Sequence, residues 1–182
     1  MHQYFNRLNF PVKITKDLSE YKSEKRTHVR GPKNLMGEEV DKILAAVGLR
    51  MHWVEVFYLA AGSDHTIHCD GHELDNKAKI NYVIGGKGSM MSWYDPIDKN
   101  KIQKKLSKAD TIYLGINKED TIEVYSTEME EGFYIINAGK FHNVWNKDEG
   151  RYCLSGCLVD IVTGYRPLFN ELQVLLKDYI ND

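Results

Sequence analysis

The sequence has few of the features that mark a secreted, disulfide-rich or membrane-spanning protein. Its 182 residues include only three cysteines, an odd and sparse set, so a disulfide scaffold is not expected and a reducing compartment is the default. No apolar run approaches the ~18 residues of a membrane span. Residues 1–8 lack the apolar segment and small-residue cleavage site of a signal peptide. We therefore expect a cytoplasmic protein without a membrane partner.

The chain also lacks a strong excess of charge. Its 24 basic and 26 acidic side chains give a formal net charge of −2, which excludes a polycation that holds nucleic acid by charge alone. Two basic stretches, in 19–34 and 99–108, are not interleaved with aromatic residues as a single-strand nucleic-acid groove would be. The charge pattern therefore gives no strong sign of a nucleic-acid partner.

The hydrophobic pattern predicts one α+β domain over residues 1–182 that is mainly β. Helical spacing of apolar residues in 35–47, ended by Gly48, predicts an N-terminal helix, and a similar pattern follows Pro167 at the C-terminus. Between them the period changes to two. Short strands are predicted at 49–60, 79–84, 90–94, 121–126, 132–137, 141–146 and 151–162. This pattern is typical of a β-sandwich or jelly roll with its core at about 49–162, and 19–34 is expected to be a solvated loop.

The first candidate site motif is His68-Cys-Asp70. Successive strand residues face opposite sides, so an imidazole and a carboxylate two residues apart lie on one face, about 6–7 Å from each other. Such a pair can occupy two neighbouring positions on one metal ion. The alternative is an ordinary polar surface pair.

A third donor comes from His142, which follows another apolar strand. Two histidines and one carboxylate on one face leave three coordination positions open, the arrangement of non-haem Fe(II) oxygenases. The alternative for His142 is a histidine packed within a strand pair.

Arg151 is the candidate anchor for an acidic ligand. Residues 147–150 are expected to form a hairpin turn that places Arg151 beside Trp145 or its neighbour, about 10 Å from His142 along the sheet. A guanidinium there could pair with one end of a dicarboxylate whose other end chelates the metal. Ser155 lies on the same strand face and could donate a second hydrogen bond. The alternative is that Arg151 pairs with an acidic residue of the turn.

In their order, these residues resemble the HxD…H…RxxxS pattern of the Fe(II)/2-oxoglutarate-dependent oxygenase superfamily. The resemblance covers about 49–162. The run at 79–95 is similar to the strand pair that follows HxD in small oxygenases of marine phage and bacterial type. The resemblance implies a double-stranded β-helix, the jelly-roll or cupin-like fold, with flanking N- and C-terminal helices. It also implies a host-cell cytoplasmic location if the chain is phage-encoded.

The resemblance further implies roles for particular residues. The catalytic metal ligands for Fe(II) would be His68, Asp70 and His142. The co-substrate 2-oxoglutarate would be bound by Arg151 and, less securely, by Ser155, with O2 at the last metal position. Tyr58 stands where prolyl-hydroxylase-like members place a pocket tyrosine, and Asn81 and Tyr82 are further candidates for the pocket wall. The carboxylate at Asp70 argues against the halogenating branch, where a small residue stands instead.

The function implied is hydroxylation of a small molecule or peptidyl side chain by ferryl hydrogen abstraction, with release of succinate and CO2. Two alternatives stay open: a cupin-like metal-binding isomerase or sensor that does not use 2-oxoglutarate, and a non-catalytic interaction protein. The 95–110 segment is either a substrate lid or a solvated loop. The apolar C-terminal helix could serve an oligomer or the core.

Three further residues near the motif receive structural interpretations. His65 and His72 are expected to be loop-end histidines, and Cys69 to be a core residue because it points away from His68. Cys153 and Cys157 are too far apart along a strand for a disulfide and are expected to pack in the core.

Overall fold

The computed structural model describes residues 1–71, 74–107 and 110–180, and in these ranges the protein is mainly β. The strands are β1 (Phe5–Leu8), β2 (Arg26–Gly31), β3 (Leu49–Leu59), β4 (His68–Asp70), β5 (Ala78–Gly85), β6 (Met90–Pro96), β7 (Gln103–Leu106), β8 (Ile112–Gly115), β9 (Thr121–Glu128), β10 (Gly132–Asn137), β11 (Phe141–Trp145) and β12 (Arg151–Asp160). The helices are α1 (Glu38–Ala46) and α2 (Phe169–Leu175), and 3-10 turns occupy Ser19–Tyr21, Lys33–Met36, Lys99–Lys101, Lys118–Asp120 and Lys177–Tyr179.

The strands form two antiparallel sheets. The larger sheet has the order β1-β10-β5-β12-β3-β2, and the smaller sheet has the order β7-β8-β4-β11-β6-β9. The chain alternates between the sheets from β3 to β6, stays in the smaller sheet from β6 to β9, and alternates again from β9 to β12, so that β3, β5, β10 and β12 lie in one sheet and β4, β6, β9 and β11 in the other. This alternation is the double-stranded β-helix, or jelly roll, and it confirms the predicted fold class.

The two helices cover the outer face of the larger sheet. Val40 and Leu44 of α1 and Leu172 of α2 are at most 1% exposed and belong to one apolar cluster with sheet residues such as Val54 and Leu154. This cluster is possible because alternate residues of the strands point outward and are apolar. The other face of the sheet is left to line the space between the sheets, where the candidate site lies.

The helices are shorter than the sequence pattern predicts. Residues Lys33–Met36 form a 3-10 turn, and α1 begins only at Glu38. Between them Gly37 has a φ of 92°, a conformation that a helix cannot contain. No helix among residues 1–71, 74–107 and 110–180 is long and apolar enough to cross a membrane.

The β-structure is more extensive than predicted. The basic segment 19–34, expected to be a loop, contains β2, which pairs with β3 at the edge of the larger sheet. Within 95–110, β7 pairs with β8 and extends the smaller sheet. Lys108, at the end of the lysine-rich stretch, lies outside the described residues. The β-core therefore begins at β1 rather than at residue 49. The sequence pattern did not predict the edge strands, because exposed edge strands carry charged side chains and give no clear alternation of apolar residues.

The packing of α2 on the sheet gives a direct test of this architecture. Leu172→Ala should lower the free energy of unfolding by about 2–5 kcal/mol, because it removes a buried side chain and leaves a cavity. Val174 lies on the same helix but is 62% exposed, so Val174→Ala should change it by about 0.5 kcal/mol or less. Denaturant unfolding of both variants measures the difference, and equal effects would contradict the packing described.

Candidate metal centre and adjoining cavities

Two histidines from neighbouring strands lie side by side between the sheets. His68 opens β4 and His142 is the second residue of β11, and the antiparallel register pairs them directly. Their ring centroids are 4.5 Å apart. Strand alternation places Asp70 on the same side as His68, as expected from the spacing of the motif. The structure therefore brings the three predicted ligands to one place.

The backbone determines which ring nitrogen each histidine presents. Nδ1 of His68 lies 2.9 Å from the carbonyl oxygen of Thr66, and Nδ1 of His142 lies 2.8 Å from that of Lys140. A carbonyl oxygen only accepts hydrogen bonds, so each Nδ1 carries the proton and each Nε2 keeps its lone pair. This is the usual arrangement for a metal-binding histidine.

Burial keeps His142 neutral over the physiological range. Its ring is 4% exposed, and burial, followed by the neighbouring His68, lowers its pKa to about 4. A neutral imidazole is the form that can coordinate a metal.

The two oxygens of the Asp70 carboxylate lie close to different side chains. Oδ2 lies 3.0 Å from Nζ of Lys79, and Oδ1 lies 3.7 Å from Nε2 of His68. Burial opposes ionisation of Asp70, but the charge of Lys79 outweighs it and lowers the pKa of the carboxyl group. An ionised oxygen therefore faces the histidine pair.

In the part of the chain that the structure describes, no three His, Cys, Asp or Glu side chains are already closed around a metal position. The donors nevertheless fit a ferrous ion in kind: two imidazoles whose Nδ1 atoms lie on backbone carbonyl oxygens, which leaves Nε2 for a metal, and one ionised carboxylate oxygen on one face. Asp70 is drawn towards Lys79 in this structure, so it would have to turn towards the histidines to complete the site.

A cavity of about 60 Å³ adjoins these three side chains. Its other polar lining residues are His65, Asn81, Arg151 and Ser155, and its remaining wall is largely apolar. The cavity lies between the sheets, because the ligands belong to the smaller sheet whereas Asn81, Arg151 and Ser155 belong to the larger one.

The route by which Arg151 reaches the cavity corrects the hairpin prediction. β12 pairs with β3 and β5, not with β11, so residues 147–150 carry the chain from one sheet to the other. Arg151 therefore faces His142 across the sandwich and does not lie beside Trp145 in a shared sheet. A short link between two sheets has the same turn-forming composition as a hairpin, which is why the sequence did not distinguish them.

Arg151 is a buried cation without a counter-ion among the described residues. It is 4% exposed, and its Nε has no hydrogen-bond partner there. Burial lowers its pKa. The acidic turn residue Glu149 accepts a hydrogen bond from the backbone N–H of Lys87 instead. The alternative that Arg151 pairs with the turn is thus not what the structure shows.

The sequence makes room for the Arg151 side chain at Gly86. A Cβ at that position would lie 2.7 Å from Cβ of Arg151, and the φ of Gly86 is 76°. Both the space and the backbone conformation require glycine there.

Two of the predicted pocket residues line the cavity and two do not. Ser155 and Asn81 are direct neighbours across β12 and β5, and Oδ1 of Asn81 is buried without a partner among the described residues. Tyr58 packs its ring against Tyr152, 4.8 Å away.

Tyr82 accepts a hydrogen bond from the backbone N–H of Ile14 and belongs to the apolar cluster under the helices. The prediction that Tyr58 and Tyr82 line the pocket is therefore corrected. Adjacent strand residues face opposite sides, so Asn81 and Tyr82 could not both have done so.

An ion-pair cluster that sequence reasoning did not identify supports the candidate ligand Asp70. Nζ of Lys79 lies 2.6 Å from Oε2 of Glu55 as well as 3.0 Å from Asp70, and His28 Nε2 lies 3.1 Å from Oε1 of Glu55. Burial opposes the charge of Glu55, but Lys79 and His28 outweigh it and lower its pKa to about 2. The sequence feature that could have revealed this cluster is Lys79 itself, a charged residue within a strand that is mostly buried.

A second cavity, of about 230 Å³, adjoins the candidate ligands His68 and Asp70. Phe57, His65, His68 and Asp70 line both cavities. The second is bounded by β2 and β3 on one side and by the β7–β8 hairpin on the other. Part of the 95–110 segment thus lines this cavity, through Leu106 and Ser107.

Some residues near the motif differ from their expected roles. His65, expected to be an ordinary loop-end residue, lines both cavities, and burial lowers its pKa to about 3. Cys153 lines the smaller cavity, whereas Cys69 is buried in a separate apolar cluster, as predicted. His72 lies outside the described residues.

Comparison with protein-family models and with curated proteins gives no match. Among solved structures, the chain is similar to the X-ray structure of E. coli ycfD, with a TM-score of 0.43, 12% identity, and coverage of 94% of this chain and 44% of that one. It is also similar to hazelnut (Corylus avellana) vicilin, with a TM-score of 0.40, 12% identity, and coverage of 82% and 32%. A third is the L-ribose isomerase of Acinetobacter sp. DL28, with a TM-score of 0.37, 12% identity, and coverage of 86% and 69%. The chain spans less than half the length of the first two proteins. The jelly-roll assignment thus depends on the strand order of the chain itself.

The buried ion-pair cluster predicts a large stability effect at Lys79. Lys79→Met should lower the free energy of unfolding by about 3–5 kcal/mol, because Glu55 and Asp70 lose their shared counter-charge. Lys42 is a matched control: its Nζ also lies 2.6 Å from a carboxylate oxygen, that of Glu39, but both side chains are more than 60% exposed.

Lys42→Met should therefore cost about 1 kcal/mol or less. Thermal and urea unfolding of the two variants measure the comparison. A Lys79→Met protein as stable as Lys42→Met would show that the cluster is not buried as described.

Proposed function

We propose that the chain is an Fe(II)- and 2-oxoglutarate-dependent dioxygenase that hydroxylates a small molecule or a peptidyl side chain. The observation that carries this proposal is the position of Arg151. A buried guanidinium without a counter-ion is costly, and this one opens into the same cavity as His68, Asp70 and His142. A dicarboxylate that reaches from a metal to Arg151 would satisfy both groups.

His68, Asp70 and His142 would hold the ferrous ion through two Nε2 atoms and one carboxylate oxygen. When bound, iron with 2-oxoglutarate supplies oxidation of an unactivated C–H group by O2, which amino-acid side chains cannot perform. The contribution of the chain is the fixed orientation of the donors. The carbonyl oxygens of Thr66 and Lys140 hold both imidazoles in the metal-binding tautomer.

The co-substrate would occupy the smaller cavity. Arg151 can form two parallel hydrogen bonds with a carboxylate, and the hydroxyl of Ser155, on the same strand face, can donate another. Oδ1 of Asn81 is an acceptor that lacks a partner among the described residues. Apolar neighbours such as Met91 and Ile136 limit access of water to this space.

The arrangement of the two cavities supports separate places for co-substrate and substrate. Both cavities meet at His68 and Asp70, but Arg151 lines only the smaller one. A substrate in the larger cavity would thus reach the metal through a space that the 2-oxoglutarate anchor Arg151 does not line.

The proposal is tested by anaerobic titration of the metal-free protein with Fe(II) and then 2-oxoglutarate, followed by visible absorption. Wild type should develop a metal-to-ligand charge-transfer band. His142→Ala should abolish the band because a metal ligand is lost. Arg151→Ala should raise the 2-oxoglutarate concentration needed for it by about tenfold or more, as expected for loss of a charge-assisted pair.

Matched controls separate these effects from general damage. Neither His52 nor Arg166 lines either cavity. The His52 ring contacts Trp53 and Arg166 donates to the carbonyl oxygen of Ala78, so His52→Ala and Arg166→Ala should leave the band unchanged. Fe(II) binding without a band would favour the cupin-like isomerase or sensor. Absence of Fe(II) binding would remove the metal centre altogether.

A further inference from the structure

The larger cavity opens between two edge strands that are distant in sequence. β2 is the last strand of the larger sheet, and β7 is the last strand of the smaller one. Side chains from β2 and from the β7–β8 hairpin both line the cavity, with His68 and Asp70 at its base. Whatever enters it lies against the candidate ligands.

Both carboxylates that line this cavity are already engaged. Oε1 and Oε2 of Glu55 contact His28 and Lys79. Asp70 contacts Lys79 through one oxygen and faces the histidines with the other. With the metal bound to Asp70 as proposed, neither carboxylate would have a free oxygen to pair with a cationic group of a substrate.

The cations near the cavity, in contrast, have no ion-pair partner among the described residues. Arg26, the first residue of β2, is exposed and lines the cavity, and it has no ion pair within residues 1–71, 74–107 and 110–180. Its charge contributes to the lowered pKa of His65, after burial and His68. Arg26 and His65 both line this cavity.

Lys105 supplies a second cation from the opposite edge. It pairs in register with Tyr113, and Tyr113 pairs with Asp70, so Lys105 shares the strand face of Tyr113 and Asp70, both of which line the cavity. The Lys105 side chain runs over Gly115, where an added Cβ would lie 3.2 Å from its Nζ. Gly115 in turn pairs with His68. No ion pair of Lys105 is found among the described residues.

We infer that the larger cavity binds a small-molecule substrate through an anionic group, a carboxylate or phosphate, that pairs with Arg26 and Lys105 while the rest of the molecule extends towards His68 and Asp70. This inference rests on the proposed function for the role of the bound molecule as substrate. The volume of about 230 Å³ lies below the ~300–1,000 Å³ of pockets for drug-sized ligands, which fits a small molecule.

The test uses three probes with methyl protons: methyl phosphate, acetate and tetramethylammonium. The protein is loaded with paramagnetic Mn(II) and a fixed concentration of 2-oxoglutarate, and Mn(II) retention is followed by electron paramagnetic resonance. Relaxation of the methyl protons then reports binding near the metal. One or both anions should be relaxed by wild type, and tetramethylammonium should not. The anion that responds identifies the carboxylate or phosphate chemistry.

Variants locate the anion. Arg26→Ala and Lys105→Ala should each weaken anion binding about fivefold, and the double variant should weaken it further. Arg30 and Lys104 are matched controls. The Arg30 guanidinium lies over the Trp53 ring, 5.3 Å from its centroid, and Lys104 pairs with Leu114, on the opposite face from Lys105. Arg30→Ala and Lys104→Ala should bind the anion as wild type does.

The same titrations on metal-free protein, followed by saturation-transfer NMR, distinguish failure of this inference from failure of the proposed function. Anion binding that depends on Arg26 but occurs without Mn(II) retention would support the anion site and overturn the metal centre. Mn(II) retention with anion relaxation that is equal in all variants would overturn the anion site. Equal relaxation of tetramethylammonium and the anions would also overturn it.

Discussion

The ion-pair cluster around Lys79 is the interaction on which the candidate site depends. A lysine that is 6% exposed is tolerated between the sheets only because Glu55 and Asp70 lie on either side of it. Because Lys79 takes one oxygen of Asp70, the other oxygen is left to face His68. The carboxylate is thereby kept ionised, and it would turn from Lys79 towards the histidines to hold a metal.

The jelly roll brings this cluster together from distant parts of the chain. Strand alternation between sheets places β4 and β11 opposite β3, β5 and β12, so that His142 and Arg151, close in sequence, face each other across the sandwich. Outward-facing residues of the larger sheet pack under the helices, and inward-facing residues line the cavities. The same alternation thus separates the stabilising core from the chemistry.

Much of the fold could be predicted because its central strands are apolar and regularly spaced. The seven strands expected from the pattern all form, with ends shifted by a few residues. The strands that the pattern did not predict lie at sheet edges or are very short. β2 and β7 are edge strands, and their charged side chains reflect exposure to solvent rather than loop structure. Their position matters, because β2 and β7 border the larger cavity.

The candidate ligands could be proposed from sequence because strand geometry links spacing to direction: residues two apart, such as His68 and Asp70, share a face. The same rule shows that Asn81 and Tyr82 cannot line one cavity. The partner of a buried charge could not be predicted in this way, because Glu55 and Lys79 lie on separate strands and are brought into contact only when the sheet forms. Local periodicity contains no information about such contacts.

The sequence by itself determined the fold class and the side of each strand on which the candidate ligands lie, since both follow from the two-residue repeat of a β-strand. Only the tertiary structure decided that Arg151 approaches from the opposite sheet and that its charge has no partner among the described residues. It also decided that a second cavity, lined by Arg26, adjoins His68 and Asp70. These features depend on which strands pair and how the sheets pack, and those contacts are formed between residues far apart in the chain.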